Sequence, residues 1–146
     1  MDLTKDYPRS PREQLDGISI LPRAIDKARA HLEGRLGEYI YFGCRINRML
    51  FNAFGVTEEE FLDAVRTAQS DDAMLEWVRE YVRPERAKIE EMNRRLLRHA
   101  PSSEEEWKKF RAQLDEVDPG NESIKTYVEL IDLEEGRLSK ESATAT

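Results

Sequence analysis

Residues 21–44 constrain the fold more than any other stretch of this 146-residue chain. Pro22 is the residue type favoured in a first helical turn, where its missing N–H costs nothing, and Leu21, Ile25, Ala28, Leu32 and Leu36 then recur at helical spacing. Such a stripe has to be buried against other elements. On a ridge beside it, Arg23, Lys27 and His31 fall at i, i+4 and i+8, next to the small residues Ala30 and Gly34. Gly34 and Gly37 bracket the expected helix end, and Tyr39-Ile40-Tyr41-Phe42 follows with strand composition. Gly17-Ile18-Ser19-Ile20 alternates weakly, so residues 18–20 and 39–42 are expected to pair as one small two-stranded sheet.

Most of the remaining chain reads as helices separated by short punctuation. Residues 1–9 are expected to run extended, and Ser10-Pro11-Arg12-Glu13 has the form of a capping box, opening about one helical turn that Gly17 stops. Ile46, Met49, Leu50, Ala53 and Phe54 form a stripe ended by Gly55. Thr57-Glu58-Glu59-Glu60 is a second capping box, with acids where the helix dipole favours them. Ser70-Asp71-Asp72 opens another helix, and Arg83-Pro84 breaks it because the residue before proline is pushed out of helical geometry. Ile89, Met92, Leu96 and Leu97 mark a further helix; Trp107, Phe110, Leu114 and Val117 another; Ile124, Tyr127, Val128 and Ile131 the last. The expectation is a mainly α protein: one domain over residues 1–136, six or seven helices around one core, and a disordered tail over residues 137–146.

Composition narrows the class. Hydrophobic residues make up 39% and charged residues 36%, polar for a globular chain but with regular apolar spacing that argues against global disorder. No run approaches the roughly 18 apolar residues of a membrane span, and the opening residues lack the apolar centre of a secretory signal, so no membrane contact and a cytoplasmic location are expected. The single Cys44 offers no internal disulfide and no Cys-x-x-Cys pair, so structural zinc is not expected. The net charge of −7 is unevenly spread: residues 1–50 hold nine Lys/Arg against seven Asp/Glu, and the remainder fourteen against twenty-three. That balance disfavours duplex nucleic acid and suggests that the early cations face an anion or the chain's own acidic half.

The stretches D-L-T-K-x-x-P-R-S-P from Asp2, L-P-R-x-x-D-K-x-R-A from Leu21, G-E-Y at Gly37 and T-Y-V-E-L-I-D-L-E-E-G from Thr126 are worded specifically and span most of the chain. In them the chain resembles an uncharacterised bacterial group, domain-of-unknown-function family 5069. The resemblance implies a small stand-alone cytoplasmic protein and no assigned reaction. Its motifs fall on Arg9, Arg12, Arg23, Asp26, Lys27, Arg29 and Tyr39, the same charged stretch that the residue pattern singles out.

Three readings of that stretch compete. In the leading one, a non-catalytic module binds an anionic small molecule or an acidic protein surface through Arg23, Lys27, Arg29 and His31, with Arg9 and Arg12 folding back to assist. In the second, an enzyme acts on a phosphorylated or carboxylated small molecule held by those cations, with Asp26, Tyr39 or Tyr41 handling protons. In the third, a homo-oligomer docks its basic first third on a neighbour's acidic last third. Against all three stands an ordinary solvated helix face with Asp26 and Glu33 as partners. Arg29 borders the apolar stripe and needs a carboxylate if it is partly buried. Asp132, Glu134 and Glu135 sit at a helix C-terminus, where the dipole disfavours anions, so an offset is expected from the N-terminal cations of the same molecule, a partner protein, a hard cation such as Mg²⁺, or plain solvation. Cys44, Trp77 and Trp107 read as packing residues. No glycine-rich phosphate loop, His-Glu-x-x-His or nucleophile elbow occurs, and no cofactor is expected.

Overall fold

A computed structural model describes residues 1–140. The described residues form seven α-helices and one two-stranded sheet: β1 (Gln14–Leu15), β2 (Ile18–Ser19), α1 (Leu21–Leu32), α2 (Arg45–Phe54), α3 (Glu58–Thr67), α4 (Asp71–Trp77), α5 (Arg86–Arg98), α6 (Glu104–Val117) and α7 (Tyr127–Glu134). The protein is thus mainly α, as the periodicity predicts. No helix among the described residues is long and apolar enough to cross a membrane. The chain divides into two compact units, Met1–Leu96 and the residues from Leu97 onward.

In the first unit the small sheet forms, but not with the expected partner. Ile18 pairs antiparallel with Leu15, and Ser19 with Gln14, so β2 is taken by β1 and residues 39–42 form no strand. The reason is the Asp16-Gly17 pair. Both residues have positive φ, 53° and 74°, the signature of the two-residue hairpin turn whose twist matches antiparallel strands. Gly17 therefore turns a hairpin rather than ending a helix. Ser10-Pro11-Arg12-Glu13 is likewise a turn and no helix: the Ser10 hydroxyl does accept a backbone N–H, but that of Arg12, at 3.1 Å. Asn93 on α5 clamps the hairpin, its amide N–H donating to the Gly17 carbonyl at 2.9 Å and its carbonyl accepting from the Ser19 N–H at 3.1 Å.

Ile20 delivers the chain from β2 into α1 at φ 73°, a costly conformation for a β-branched residue, of order 1–3 kcal/mol. Its surroundings hold it there. The side chain is fully buried, its N–H donates to the Pro11 carbonyl at 2.9 Å, and its carbonyl accepts from Ala24 at 2.9 Å. Helix α1 packs on α3 and on the hairpin, and α3 packs in turn on α2 and α4. The expected start of α3 is built as a full capping box: the Thr57 hydroxyl accepts from the Glu60 N–H, and the Glu60 carboxylate accepts from Thr57. Aromatic rings run from the core outward, Tyr41 to Phe51 to Phe61 to Trp77 to Tyr81, with successive centroids 4.9–6.2 Å apart. Helix α4 continues into one π-helical turn, Val78–Val82, which Arg83 ends in the left-handed conformation just before Pro84.

The N-terminal segment is anchored rather than extended over the surface. Leu3 is buried, its N–H donates to the Arg35 carbonyl at 2.9 Å, and Asp2 closes a turn by accepting from the Thr4 N–H at 3.0 Å. Between Gly37 and Gly43 the chain turns instead of extending, and only alternate residues face in: Tyr41 is buried while Ile40 and Phe42 are exposed.

The second unit has its own core of Phe110, Leu114, Ile124, Leu130 and Leu133, with Trp107, Val117, Tyr127 and Leu138 packed against it. Asp118 and Asn121 form its turn, the Asn121 amide donating to the Asp118 carboxylate at 2.9 Å. Thr126 and Glu129 close a capping box at the start of α7. Of the stretch expected as a disordered tail, residues 141–146 lie outside the described residues, whereas the Arg137 N–H donates to the Asp132 carbonyl at 2.7 Å.

Candidate functional site

Pro8-Arg9-Ser10-Pro11 lies along α1 with Pro8, Ser10 and Pro11 all buried, and this fixes where Arg9 points. Residues preceding proline are held extended, so Tyr7 and Ser10 keep the segment open. Arg9 meets Asp26 three times: its backbone N–H reaches Oδ2 at 2.9 Å, Nε reaches Oδ2 at 3.0 Å and Nη2 reaches Oδ1 at 3.0 Å. The other edge of the same guanidinium takes Asp71, Nη1 to Oδ2 at 2.8 Å and Nη2 to Oδ1 at 3.1 Å. One planar fork thus joins a carboxylate from the middle of α1 to one from the first turn of α4, a geometry that lysine lacks. The bonds to Asp71, reinforced by Asp26, raise the Arg9 pKa above its ordinary value. Asp71 is lowered correspondingly, chiefly by its bonds from Arg9, with Arg29 adding to the effect.

The ridge lies around this cluster and is itself largely buried. Arg23 is 4% exposed, Lys27 3% and Asp26 2%, so the expected cationic edge is an inner face of the molecule. Arg23 donates from Nη1 to the Arg9 carbonyl at 3.2 Å, and its guanidinium lies 5.7 Å from the centroid of the Tyr39 ring. Arg29 meets the carboxylate its position called for: Nη1 is 3.7 Å from Asp71. Its Nη2, however, is buried and has no hydrogen-bond partner among the described residues. Such an orphan donor costs free energy unless an acceptor comes to it.

The structure therefore brings together Arg9, Arg23, Asp26, Arg29 and Tyr39. His31 belongs elsewhere, packed against the rings of Tyr41 and Phe42 at 5.7 and 5.3 Å, and the Arg12 side chain is exposed. Tyr41 is 1% exposed and donates its hydroxyl to the Glu58 carbonyl, while burial, helped by Glu58, pushes its pKa well up. Asp26, for its part, spends both oxygens on Arg9. Asp71 is the member that sequence reasoning missed: with Ser70 and Asp72 it reads only as the opening of a helix, and its signal was the need of Arg29 for a carboxylate.

The acidic end of α7 has a cation as its charge requires. Arg137 pairs with Asp132 at 3.4 Å and with Glu135, and Gln113 donates to Glu134 at 2.8 Å. Among the described residues no three His, Cys, Asp or Glu side chains converge as a metal ion would need.

No curated protein matches the chain. A family model does, over residues 5–137, and it covers every residue of the Arg9–Asp26–Asp71–Arg29 cluster. The chain belongs to that family, DUF5069, a domain of unknown function.

Proposed function

We propose that this protein is a non-catalytic helical module that binds an anion, a carboxylate or phosphate group, at the edge of the α1 cluster. One observation carries the reading: Arg29 Nη2 is a buried donor with no acceptor among the described residues, on a side chain that is 25% exposed and held in place through Asp71. An incoming oxygen there would gain a charge-assisted hydrogen bond from a group already positioned. Arg9, Asp26 and Asp71 serve as the frame, since their mutual bonds leave them little capacity for a ligand. The same economy weighs against turnover, because Tyr41 and Asp26 are both committed to structural bonds. The anion arrives on a small molecule or on an acidic protein surface, in the bacterial cytoplasm, and duplex DNA is not a partner of so acidic a chain.

A thermal-shift screen of phosphate, nucleotides and di- and tricarboxylates on wild type and Arg29→Ala tests this. A ligand at a hundred times its dissociation constant stabilises by about 2.7 kcal/mol, a rise of several degrees that the variant should lack. If both proteins stay unshifted by every small anion but self-associate in a salt-sensitive manner, the homo-oligomer reading replaces this one.

A further inference from the structure

Within the first unit, α3 and the α4 π-turn bound an open groove of about 580 Å³ whose character is opposite to that of the cationic cluster. Its lining is small and apolar at Ala64 of α3, Ala68 just beyond the end of α3 and Ala73 of α4, and aromatic at the Trp77–Tyr81 pair. Those two rings are stacked, 5.8 Å between centroids and 18° from parallel, and Tyr81 is 64% exposed. The half-buried Trp77 and the exposed Tyr81 together put a contiguous aromatic surface in the groove, and contiguous apolar surface is what contact sites offer. Its position comes from the π-turn, a helix defect that recurs at functional sites.

The charge around the groove has one sign. Glu60, Asp63, Glu76 and Glu80 line it, and no lysine or arginine does. Glu60 is held in its capping box and Asp63 by Arg66. Glu76 and Glu80 have no ion-pair partner among the described residues; the Arg83 side chain donates to the Glu80 backbone carbonyl and not to its carboxylate, and Arg79 pairs with Asp16. Two like charges four residues apart on one helix work against that helix.

We infer that this groove is the docking site for a basic amphipathic helix of a partner protein. Alanines at 64, 68 and 73 let a second helix approach closely; an apolar side chain meets Trp77 and Tyr81; and Lys or Arg heads reach Glu76 and Glu80 and lie over the exposed tyrosine face. Charge complementarity selects a basic occupant over a neutral one, and the ring pair supplies the apolar contact that a free inorganic cation would not need.

The test is fluorescence anisotropy with a labelled, amidated 16-residue peptide bearing Lys and Leu at helical spacing, alongside its twin with Glu in place of Lys. Wild type should bind the Lys peptide in a salt-dependent way and the Glu peptide at least tenfold more weakly. Glu76→Gln/Glu80→Gln and Tyr81→Ala, both surface changes checked for folding by circular dichroism, should each weaken the Lys peptide at least fivefold, while Arg29→Ala should leave it unchanged. Equal affinity for the two peptides, no binding at low salt, or unchanged binding by both groove variants would overturn the assignment. So would spermine binding as tightly as the peptide, since that would make the groove a site for a free polyamine.

Discussion

Arg9 grips Asp26 with its own backbone N–H as well as its guanidinium, so the pair fixes chain position and charge together. The Asp26 side chain is 3% exposed, and both of its oxygens are bonded by Arg9. Breaking a buried pair by removing one member leaves the other uncompensated, at a cost of about 3–5 kcal/mol. Arg9→Ala should therefore lower the melting temperature by roughly 10 °C, and Arg9→Lys should recover little of it, since a point charge cannot serve Asp26 and Asp71 in one plane. Thermal denaturation followed by circular dichroism reads both.

Acid should loosen the cluster at its Asp71 end. The folded-state pKa of Asp71 lies below the ordinary carboxylate value, so its contribution is fully present above about pH 4 and lost as pH falls through the folded value. Urea midpoints measured from pH 6 down to pH 2 should fall more steeply for wild type than for Asp71→Asn, with the two curves converging at the acid end.

Much of this fold is legible in the sequence, and the misses have physical causes. The α3 capping box, the Gly55 stop of α2 and the apolar stripe of α1 from Leu21 to Leu32 depend on residues within a turn of one another and form as the spacing implies, whereas Leu36, expected on the same stripe, lies past the end of the helix. The pairing of residues 18–20 with 39–42 fails because Asp16-Gly17, a local turn signal, captures the strand first. Asp71 was not legible, because its role depends on α4 arriving beside α1, sixty-two residues from Arg9. Nor could spacing reveal that Arg23 and Lys27 would be buried, since solvent and partner carboxylates produce the same one-dimensional pattern of cations.

The hairpin turn makes its own prediction. Gly17 has φ 74°, and a Cβ placed there would come within 2.5 Å of Arg86 Nη2. Gly17→Ala combines that backbone strain with displacement of Arg86, which otherwise donates to the Asp16 carbonyl at 3.2 Å. A loss of about 1–2 kcal/mol is expected in chemical denaturation. Asp16→Gly, which relaxes the other positive φ, should cost less than Gly17→Ala.

Asn47 on α2 is fully buried, and neither its amide nitrogen nor its oxygen has a hydrogen-bond partner among the described residues. Burying those two groups unpaired costs about 1–3 kcal/mol. Asn47→Leu, similar in branching and free of polar atoms, should raise stability by about 1 kcal/mol. A drop in its urea midpoint would mean that the amide contributes bonds the fold depends on.

The most direct test of the anion site is a titration with inorganic phosphate, and then citrate, followed by proton–nitrogen NMR of the backbone amides and arginine side chains. The account predicts saturable shifts centred on Arg29 and the first turn of α4, unchanged signals around Phe110 and Leu114 in the second unit, and loss of the response in Arg29→Ala with the remaining spectrum intact. Shifts absent up to tens of millimolar of both anions, or identical in wild type and Arg29→Ala, would contradict it.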